Sequence, residues 1–173
     1  MTFPVRAITM TLGEAVGRMA TVKSPEEARM LAGVRAMVVD DMEDARALLE
    51  SALRQYGADV IAVSSAAEAY ALITTAPPQE IPDVILSDIE MPDEDGYSLI
   101  RRVREWEGEH SLYIPAVALT AYGRTEDRLS ALTAGFQMHV AKPVEPTELS
   151  VVVKSLVNRG KASHSPIWFQ FVH

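Results

Sequence analysis

Four short apolar runs of this 173-residue chain each lead into polar side chains that could carry chemistry. The side chains are those of Asp40-Asp41, Asp88, Thr120 and Lys142. Runs of four to eight apolar residues bounded by breakers are typical of buried strands, and ligands of open parallel sheets bind beyond the carboxyl ends of the strands. We therefore expect three carboxylates, a hydroxyl and an ammonium group at one edge of one sheet.

Such a group of side chains suits phosphoryl chemistry assisted by a metal ion. Two charges about 4 Å apart near a protein surface interact by about 4 kcal/mol, so Asp40, Asp41 and Asp88 together need protonation or a cation. Lys142 supplies one positive charge, and Mg²⁺ suits the remaining deficit because it binds carboxylates and bridges to phosphate oxygens. Asp88 could then attack phosphorus, with Thr120 donating a hydrogen bond to the transferring group.

Each of these residues also has an ordinary structural explanation. Asp88 could begin a turn, and Asp41 could cap the following helix, with Asp44 placed favourably in its first turn. Thr120 could satisfy backbone groups, and Lys142 could simply be solvated. Each explanation is favoured when its residue is taken alone. The agreement of four strand ends favours a shared site.

From Val34 onward, short apolar runs alternate with helical patterns. The predicted strands are Ala36–Val39, Val60–Val63, Val84–Ser87, Ala116–Leu119 and Met138–Ala141. The apolar positions of the intervening helices include Leu48 in the first and Leu129 and Leu132 in the fourth. This alternation predicts an α/β fold, a doubly wound (βα)5 sandwich around a five-stranded parallel sheet. The first and third strands are neighbours in such a sheet, so the three Asp side chains should converge.

Segments outside this alternation form a predicted N-terminal extension over 1–33 and a C-terminal tail over 158–173, leaving a domain over 34–157. Ser24-Pro25-Glu26-Glu27 is typical of a helix start and predicts a short helix from Pro25 to Ala32, stopped by Gly33. Arg159-Gly160-Lys161 indicates a polar linker. The aromatic end, Ile167–His173, could dock on its own domain, dock on a partner or be an artefact of how the chain was produced.

Composition narrows the function classes. The chain has no cysteine, which excludes disulfides, thiolate nucleophiles and zinc–thiolate sites. It has no apolar run of membrane-spanning length and no signal-peptide pattern, so we expect no membrane contact and a cytoplasmic location. Residues 34–157 hold 21 of the 24 acidic residues but only 10 of the 16 basic ones. This acidic balance argues against nucleic-acid binding and favours a metal cation or a basic partner.

The stretch from about Val34 to Leu156 resembles the receiver domain of two-component response regulators. The matching motifs are Val38-Val39-Asp40-Asp41, Leu86 to Gly96, Leu119-Thr120-Ala121 and Lys142-Pro143. The resemblance implies a flavodoxin-like strand order of 2-1-3-4-5. It also implies that Asp88 accepts a phosphoryl group from a phosphohistidine on a sensor histidine kinase or phosphotransfer protein. Such a domain catalyses its own phosphorylation and dephosphorylation and is no conventional small-substrate enzyme.

The same resemblance assigns roles to the other site residues. It implies that Asp40 and Asp41 hold Mg²⁺ directly or through water, together with Asp88, and that the backbone carbonyl of Glu90 supplies a further ligand. Thr120 and Lys142 would contact the phosphoryl oxygens. The peptide bond between Lys142 and Pro143 is expected to be cis, a form that only proline makes tolerable.

Three positions bear on how the domain responds. Receivers usually carry Tyr or Phe three residues before the Lys, as a rotamer switch coupled to the Thr, but here the residue is His139. We favour packing of His139 at the strand surface. The alternative is a switch role in which its protonation tunes the response. Glu90 and Tyr122 flank the phosphorylation site, and their family counterparts influence the lifetime of the phosphoryl group.

The leading hypothesis is a phosphorylation-dependent signalling switch that changes its protein-interaction surface. It is either a stand-alone receiver, possible as a homodimer, or the receiver module of a hybrid histidine kinase. By resemblance, its output face is the helix after Thr120 with the strand that holds His139. An Asp-nucleophile phosphatase of the haloacid dehalogenase type is disfavoured because it needs Asp at position 90, where this chain has Glu. A pseudo-receiver is disfavoured by the intact set Asp40, Asp41, Asp88, Thr120 and Lys142.

Overall fold

The computed structural model describes residues 24–121 and 125–163, and strands and helices alternate regularly within them. Within this part of the chain there are five strands: Arg35–Val39 (β1), Asp59–Val63 (β2), Val84–Asp88 (β3), Ala116–Thr120 (β4) and Met138–Ala141 (β5). Five α-helices accompany them: Glu43–Arg54 (α1), Ala66–Thr75 (α2), Gly96–His110 (α3), Thr125–Ala134 (α4) and Pro146–Ser163 (α5). Two short 3₁₀ helices, Glu27–Arg29 and Pro78–Glu80, complete the described elements.

All five strands pair in parallel, in the order β2-β1-β3-β4-β5. The order reverses at β1, so β1 and β3 are adjacent although α1, β2 and α2 separate them in sequence. The register pairs Val39 of β1 with Ser87 of β3, so the two strands end side by side. The predicted doubly wound, flavodoxin-like (βα)5 fold is confirmed.

Helices cover both faces of the sheet, which explains why its strands are continuous apolar runs. Every residue of β3 and β4 is buried. Val38 and Leu86 point to the core shared with α1 and α5, whereas Met37 and Ile85 point to the core shared with α2, α3 and α4. The two cores fix the strands rigidly, and this rigidity extends to the side chains at their carboxyl ends.

Three leucines that the helical periodicity assigned to apolar faces are exposed, and that part of the prediction is wrong. The exposed fractions are 65% for Leu48, 61% for Leu129 and 48% for Leu132. In α4 the buried positions belong to Ala131 and Ala134 instead. The helical period thus places Ala131 and Ala134 on the face toward the sheet, and Leu129 and Leu132 lie outside that face.

The segment before β1 forms less helix than predicted. The capping contacts of Ser24 and Glu27 do form, at 2.8 Å from the Ser24 N–H to Glu27 Oε2 and 3.1 Å from the Glu27 N–H to Ser24 Oγ. Only Glu27–Arg29 is helical, as a 3₁₀ turn. Leu31 is fully buried and its N–H donates to the carbonyl of Tyr56 at 2.8 Å. That tertiary contact takes the donor that a continuing α-helix would need.

The chain after residue 157 is more helical than predicted. The supposed linker Arg159-Gly160-Lys161 belongs to α5, which continues to Ser163. The buried face of α5 includes Val153, Leu156 and Val157, so packing carries the helix past the point where the sequence becomes polar. The aromatic end and Tyr122 lie outside the described residues, as do residues 1–23. None of the helices that the structure describes combines the length and apolar character needed to cross a membrane.

Candidate functional site

The predicted site residues meet at the carboxyl edge of the sheet. Asp40 follows β1, Asp88 and Thr120 are the last residues of β3 and β4, and Lys142 follows β5. Asp40, Asp88 and Thr120 are buried, with exposed fractions of 0%, 6% and 5%. Lys142 is half-buried and Asp41 is exposed. The site is therefore a mostly buried polar surface at the sheet edge, and it is open to solvent beside Asp41.

Three carboxylates lie close enough together to share one cation. One oxygen from each of Asp40, Asp41 and Asp88 lies within 4.8 Å of the other two. At such distances each pair of negative charges repels by a few kcal/mol near a protein surface. The cluster thus offers a hard divalent cation the oxygen ligands that it prefers.

Asp40 is held in place from two sides. Its Oδ1 accepts a hydrogen bond of 3.0 Å from the Met42 N–H, and its backbone carbonyl accepts one of 2.7 Å from Arg46 Nη1. The residue before α1 is Met42, and no side chain caps the helix, so the proposed capping role of Asp41 is wrong. Because Asp40 occupies the turn, the Asp41 carboxylate takes part in the acidic cluster. Asp44 does lie in the first turn of α1, as predicted.

Lys142 joins two of the carboxylates. Its Nζ lies 2.7 Å from Asp40 Oδ2 and 3.2 Å from Asp88 Oδ1. The Lys142 N–H donates to the Thr120 carbonyl at 2.7 Å, which ties the lysine to the end of β4, and the bond to Pro143 is cis, as expected. Burial alone would lower the pKa of Lys142, but the hydrogen bond to Asp40 and the attraction of both carboxylates outweigh it and raise the pKa. The ammonium group is therefore charged at neutral pH.

Asp88 is a carboxylate in an environment that disfavours its charge. Burial raises its pKa above the ordinary value, and the negative charge of Asp40 adds to the rise. The charge and hydrogen bond of Lys142 act in the opposite direction without cancelling it. Additional positive charge beside Asp88 would stabilise the ionised form, which is the form that can attack an electrophile.

Thr120 contacts His139, which stands where the resemblance leads us to expect Tyr or Phe. Its Oγ1 lies 3.0 Å from Nε2 of His139, and either atom can be the donor, depending on the tautomer of the imidazole. His139 is half-buried on β5, as expected for a side chain packed at the strand surface. It also makes the contact to Thr120 that a switch role requires.

Gly96 and Arg46 support the site, and sequence reasoning missed both. Gly96 packs so tightly beneath Asp88 that an added Cβ would collide with the Asp88 carbonyl oxygen, and its N–H donates to Ile89 at 3.0 Å. Its signals in the sequence were a turn-like setting after Asp93-Glu94-Asp95 and its place at the end of the motif Leu86 to Gly96. Arg46 carried no signal, because its position in α1 looks like that of any exposed arginine. The position of the Glu90 carbonyl as a ligand stays a prediction, and the Glu90 side chain is exposed.

Comparison with known proteins agrees with this architecture. The family model of the response regulator receiver domain matches residues 36–154. A 14.6 kDa protein of Leptolyngbya boryana, described only as uncharacterized, is 44% identical over 124 residues, which are 72% of this chain and 90% of that protein. Hybrid signal transduction histidine kinase D of Dictyostelium discoideum is 38% identical over 141 residues, 79% of this chain but only 9% of the kinase.

A solved structure shows the same fold. The receiver domain of the histidine kinase CKI1 from Arabidopsis thaliana, in complex with Mg²⁺ and BeF₃⁻, superimposes with a TM-score of 0.69 at 25% identity. The match covers 78% of this chain and 96% of that domain. With the family match over most of its length, this chain belongs to the response regulator receiver domains of two-component systems.

Proposed function

We propose that this receiver domain is a signalling switch that accepts a phosphoryl group on Asp88 from a phosphohistidine. The donor is a histidine kinase or a phosphotransfer protein, the classes of protein with which receiver domains interact. The observation that carries the proposal is the position of the Asp88 carboxylate, buried at a strand end, within 3.2 Å of a lysine and beside two further carboxylates. The domain acts in the cytoplasm through protein contacts.

The chemical step is a displacement at phosphorus. One oxygen of the Asp88 carboxylate forms a bond to phosphorus while the phosphorus–nitrogen bond of the phosphohistidine breaks. The electron pair of that bond stays on the imidazole, which takes a proton from solvent. The product is an aspartyl phosphate. Charge develops on the transferring oxygens, so catalysis depends mainly on positioning and on positive charge nearby.

Lys142 and Thr120 supply the protein's share of that stabilisation. The Lys142 ammonium group contacts Asp40 and Asp88 in this structure. It has three donors, so it can also donate a hydrogen bond to a phosphoryl oxygen. The Thr120 hydroxyl, at the end of the neighbouring strand β4, donates a second hydrogen bond. Hydrolysis later reverses the change, when water attacks the phosphorus and the Asp88 carboxylate leaves.

The acidic cluster fits Mg²⁺. Asp40, Asp41 and Asp88 would hold the ion through carboxylate oxygens, with the Glu90 carbonyl as a further ligand. When bound, the ion offsets the repulsion among the carboxylates and neutralises charge on the phosphoryl oxygens. The CKI1 receiver was solved with Mg²⁺, which supports the same metal here.

The read-out of phosphorylation passes through Thr120 to His139. In the present structure the Thr120 hydroxyl is engaged with His139 Nε2. In the tautomer whose Nε2 accepts from the Thr120 hydroxyl, a phosphoryl group on Asp88 competes with His139 for the single hydrogen of that hydroxyl. Loss of the contact changes the hydrogen bonding of His139 on β5 and thereby the surface that β5 and α4 present to a partner or to a second copy.

The test is phosphorylation by a small donor. The protein is incubated with Mg²⁺ and acetyl phosphate, and the adduct is located by mass spectrometry. We expect one acid-stable, base-labile phosphoryl group on Asp88, absent from Asp88→Asn and after chelation of the metal. An adduct on another residue, or none, would overturn the proposal. Rapid multiple turnover of small phosphate esters would instead support the phosphatase hypothesis.

Two hypotheses describe the protein in which this receiver works: it acts alone, or it is a module of a hybrid histidine kinase. This chain covers 90% of the small Leptolyngbya relative, which supports a receiver that acts alone by protein contact. It covers 9% of the Dictyostelium hybrid kinase, which supports a receiver module inside a phosphorelay. To distinguish the two hypotheses, we would compare two phosphodonors, a purified kinase domain and a separate phosphotransfer protein. The rate of Asp88 phosphorylation by each donor is the measured quantity.

A further inference from the structure

An apolar cavity lies at the edge of the sheet opposite Asp88. It has a volume of about 310 Å³ and is formed where β3 and β4 begin and α5 ends. Its walls include Ile81 and Pro82 before β3, Leu112 and Tyr113 after α3, and Val157 and Gly160 on α5. Its volume is at the lower end of the range for ligand pockets, which are mostly apolar.

The walls of this cavity remain partly open to solvent. Tyr113 is 41% exposed although it is a large aromatic residue, and Ile81 and Leu112 are partly exposed. Asp83 is the one acidic residue in the lining, and its carboxylate accepts a hydrogen bond of 2.8 Å from the Arg35 N–H. The cavity therefore fits an aromatic or aliphatic side chain better than a charged one.

The chain carries a segment of that composition directly beyond α5. Ile167-Trp168-Phe169-Gln170-Phe171-Val172 has five apolar residues among six and no charge. Gly160 lines the cavity and lies three residues before the end of α5 at Ser163, a rise of about 4.5 Å along the helix. From Ser163 to Trp168 an extended chain spans up to about 17 Å. The aromatic residues are thus within reach of the cavity.

We propose that the aromatic segment 167–172 of this chain docks into the cavity at the amino-terminal edge of the sheet, with Trp168 inserted. A short connection holds the segment near the cavity at an effective concentration in the millimolar range, which favours the same molecule over a partner. Burial of an aromatic side chain contributes the driving force. The docked segment covers the surface formed by Tyr113 and Leu112. This site is separate from the phosphorylation chemistry and stands or falls independently of it.

The test uses Trp168 as a fluorescent probe. The chain has two tryptophans, so Trp106→Phe leaves Trp168 alone. Gly160→Glu, added to this background, directs a carboxylate toward Pro115 in the cavity wall, since a Cβ at position 160 would lie 3.9 Å from the Pro115 ring. Gly108→Glu is the matched control, because Gly108 lies near the end of α3 and a Cβ there meets nothing within 4 Å.

Docking predicts a blue-shifted Trp168 emission in the single-tryptophan protein and in the Gly108→Glu control. In Gly160→Glu the emission moves to longer wavelength and the acrylamide quenching constant rises several-fold. Emission typical of exposed tryptophan in all three proteins overturns the proposal. Protection that disappears on dilution also overturns it, since the segment would then occupy a second copy. Nuclear Overhauser contacts between the Trp168 and Tyr113 rings, sought in the unmodified chain, decide the matter if Gly160→Glu fails to fold.

Discussion

The Lys142 ammonium group lies 2.7 Å from Oδ2 of Asp40, a residue with no exposed surface. The two residues are separated by almost the whole domain in sequence, and the pair connects the end of β1 to the end of β5. The same ammonium group lies 3.2 Å from Oδ1 of Asp88, so one lysine contacts two buried carboxylates. It therefore links two carboxylates of the acidic cluster.

Replacing Lys142 with Met should destabilise the protein in EDTA, because the buried Asp40 carboxylate would lose its cationic partner and keep only the hydrogen bond from the Met42 N–H. Loss of one member of a buried pair costs about 3 kcal/mol or more, which we expect in urea unfolding with EDTA. Saturating Mg²⁺ should restore part of the loss. The rate of phosphorylation by acetyl phosphate should fall by about 10²-fold, as for loss of one stabilising donor.

Lys154→Met is the control for this variant, since it removes a half-buried lysine on α5 away from the cluster. It should change the free energy of unfolding by less than about 0.5 kcal/mol. Equal stability of Lys142→Met and the unmodified protein in EDTA would contradict the role of this lysine.

Asp88→Asn should raise the urea midpoint of the metal-free protein at neutral pH. Burial raises the pKa of Asp88 in the folded state above its ordinary value of 3.8, so ionisation of this carboxyl opposes folding. The cost is absent below the unfolded pKa, grows as pH rises through the folded pKa and is complete above it. The increase in urea midpoint caused by Asp88→Asn should therefore be largest at neutral pH and vanish near pH 4.

The matched control is Glu109→Gln, which removes an exposed carboxylate from α3. Its midpoint should follow that of the unmodified protein across the pH range. A lower midpoint for Asp88→Asn in EDTA at neutral pH would show that the ionised Asp88 stabilises the fold through Lys142, against the prediction.

The convergence of these side chains could be predicted because parallel strands bring their carboxyl ends to one edge. Asp88 and Thr120 end their strands and Asp40 directly follows β1, so knowing the fold class was enough to place them together. The convergence does not depend on the exact helix packing. The pattern of short apolar runs therefore predicted which side chains meet at this edge. These include Lys142, which follows the four-residue strand β5.

Contacts that depend on three-dimensional packing could not be predicted in this way. Leu48 and Leu129 follow the helical period of their neighbours, yet both are exposed, because Leu49 and Leu53 occupy the buried face of α1 and Ala131 and Ala134 that of α4. The predicted helix before β1 stops short at Leu31, because the Leu31 N–H donates to the carbonyl of Tyr56, 25 residues further along the chain. The period of a sequence gives the face of a helix only approximately, and it gives no information on distant acceptors.

Arg104 and Glu107 form a buried ion pair that should determine the stability of the domain. Arg104 Nη1 lies 2.6 Å from Glu107 Oε1, which also accepts the Ile114 N–H at 2.6 Å, and Arg104 donates to the carbonyl of Gly135. Glu107→Ala leaves the guanidinium group and an amide without this acceptor and should cost about 3–5 kcal/mol in urea unfolding.

Glu105→Ala on the exposed side of the same helix is the control, with an expected change below about 0.5 kcal/mol. The phosphorylation rate of folded Glu107→Ala should stay near that of the unmodified protein, because this pair binds backbone groups just before β4 and β5, at the edge of the sheet opposite Asp88. A cost similar to that of Glu105→Ala would show that the pair contributes little net stability.

Gly96→Ala should impair both folding and phosphorylation, because its Cβ would overlap the carbonyl of Asp88 and displace the end of β3. Forced shifts in a packed region cost about 1–3 kcal/mol. Gly108→Ala, in the same helix with open space around it, should instead stabilise by up to about 1 kcal/mol. Urea unfolding and the acetyl phosphate rate measure both effects. Normal phosphorylation in Gly96→Ala would mean that the strand end adapts without moving Asp88.

Phosphorylation should change the hydrogen bonding of His139. We expect the Nε2 resonance of its imidazole, identified by its absence in His139→Gln, to shift when beryllofluoride and Mg²⁺ occupy Asp88, because the Thr120 hydroxyl turns from Nε2 toward the bound group. Thr120→Val should abolish this shift, while the exposed His110, bonded to the Trp106 carbonyl, serves as the internal control. An unchanged His139 signal at saturating beryllofluoride would place the read-out elsewhere and leave His139 a packing residue of β5.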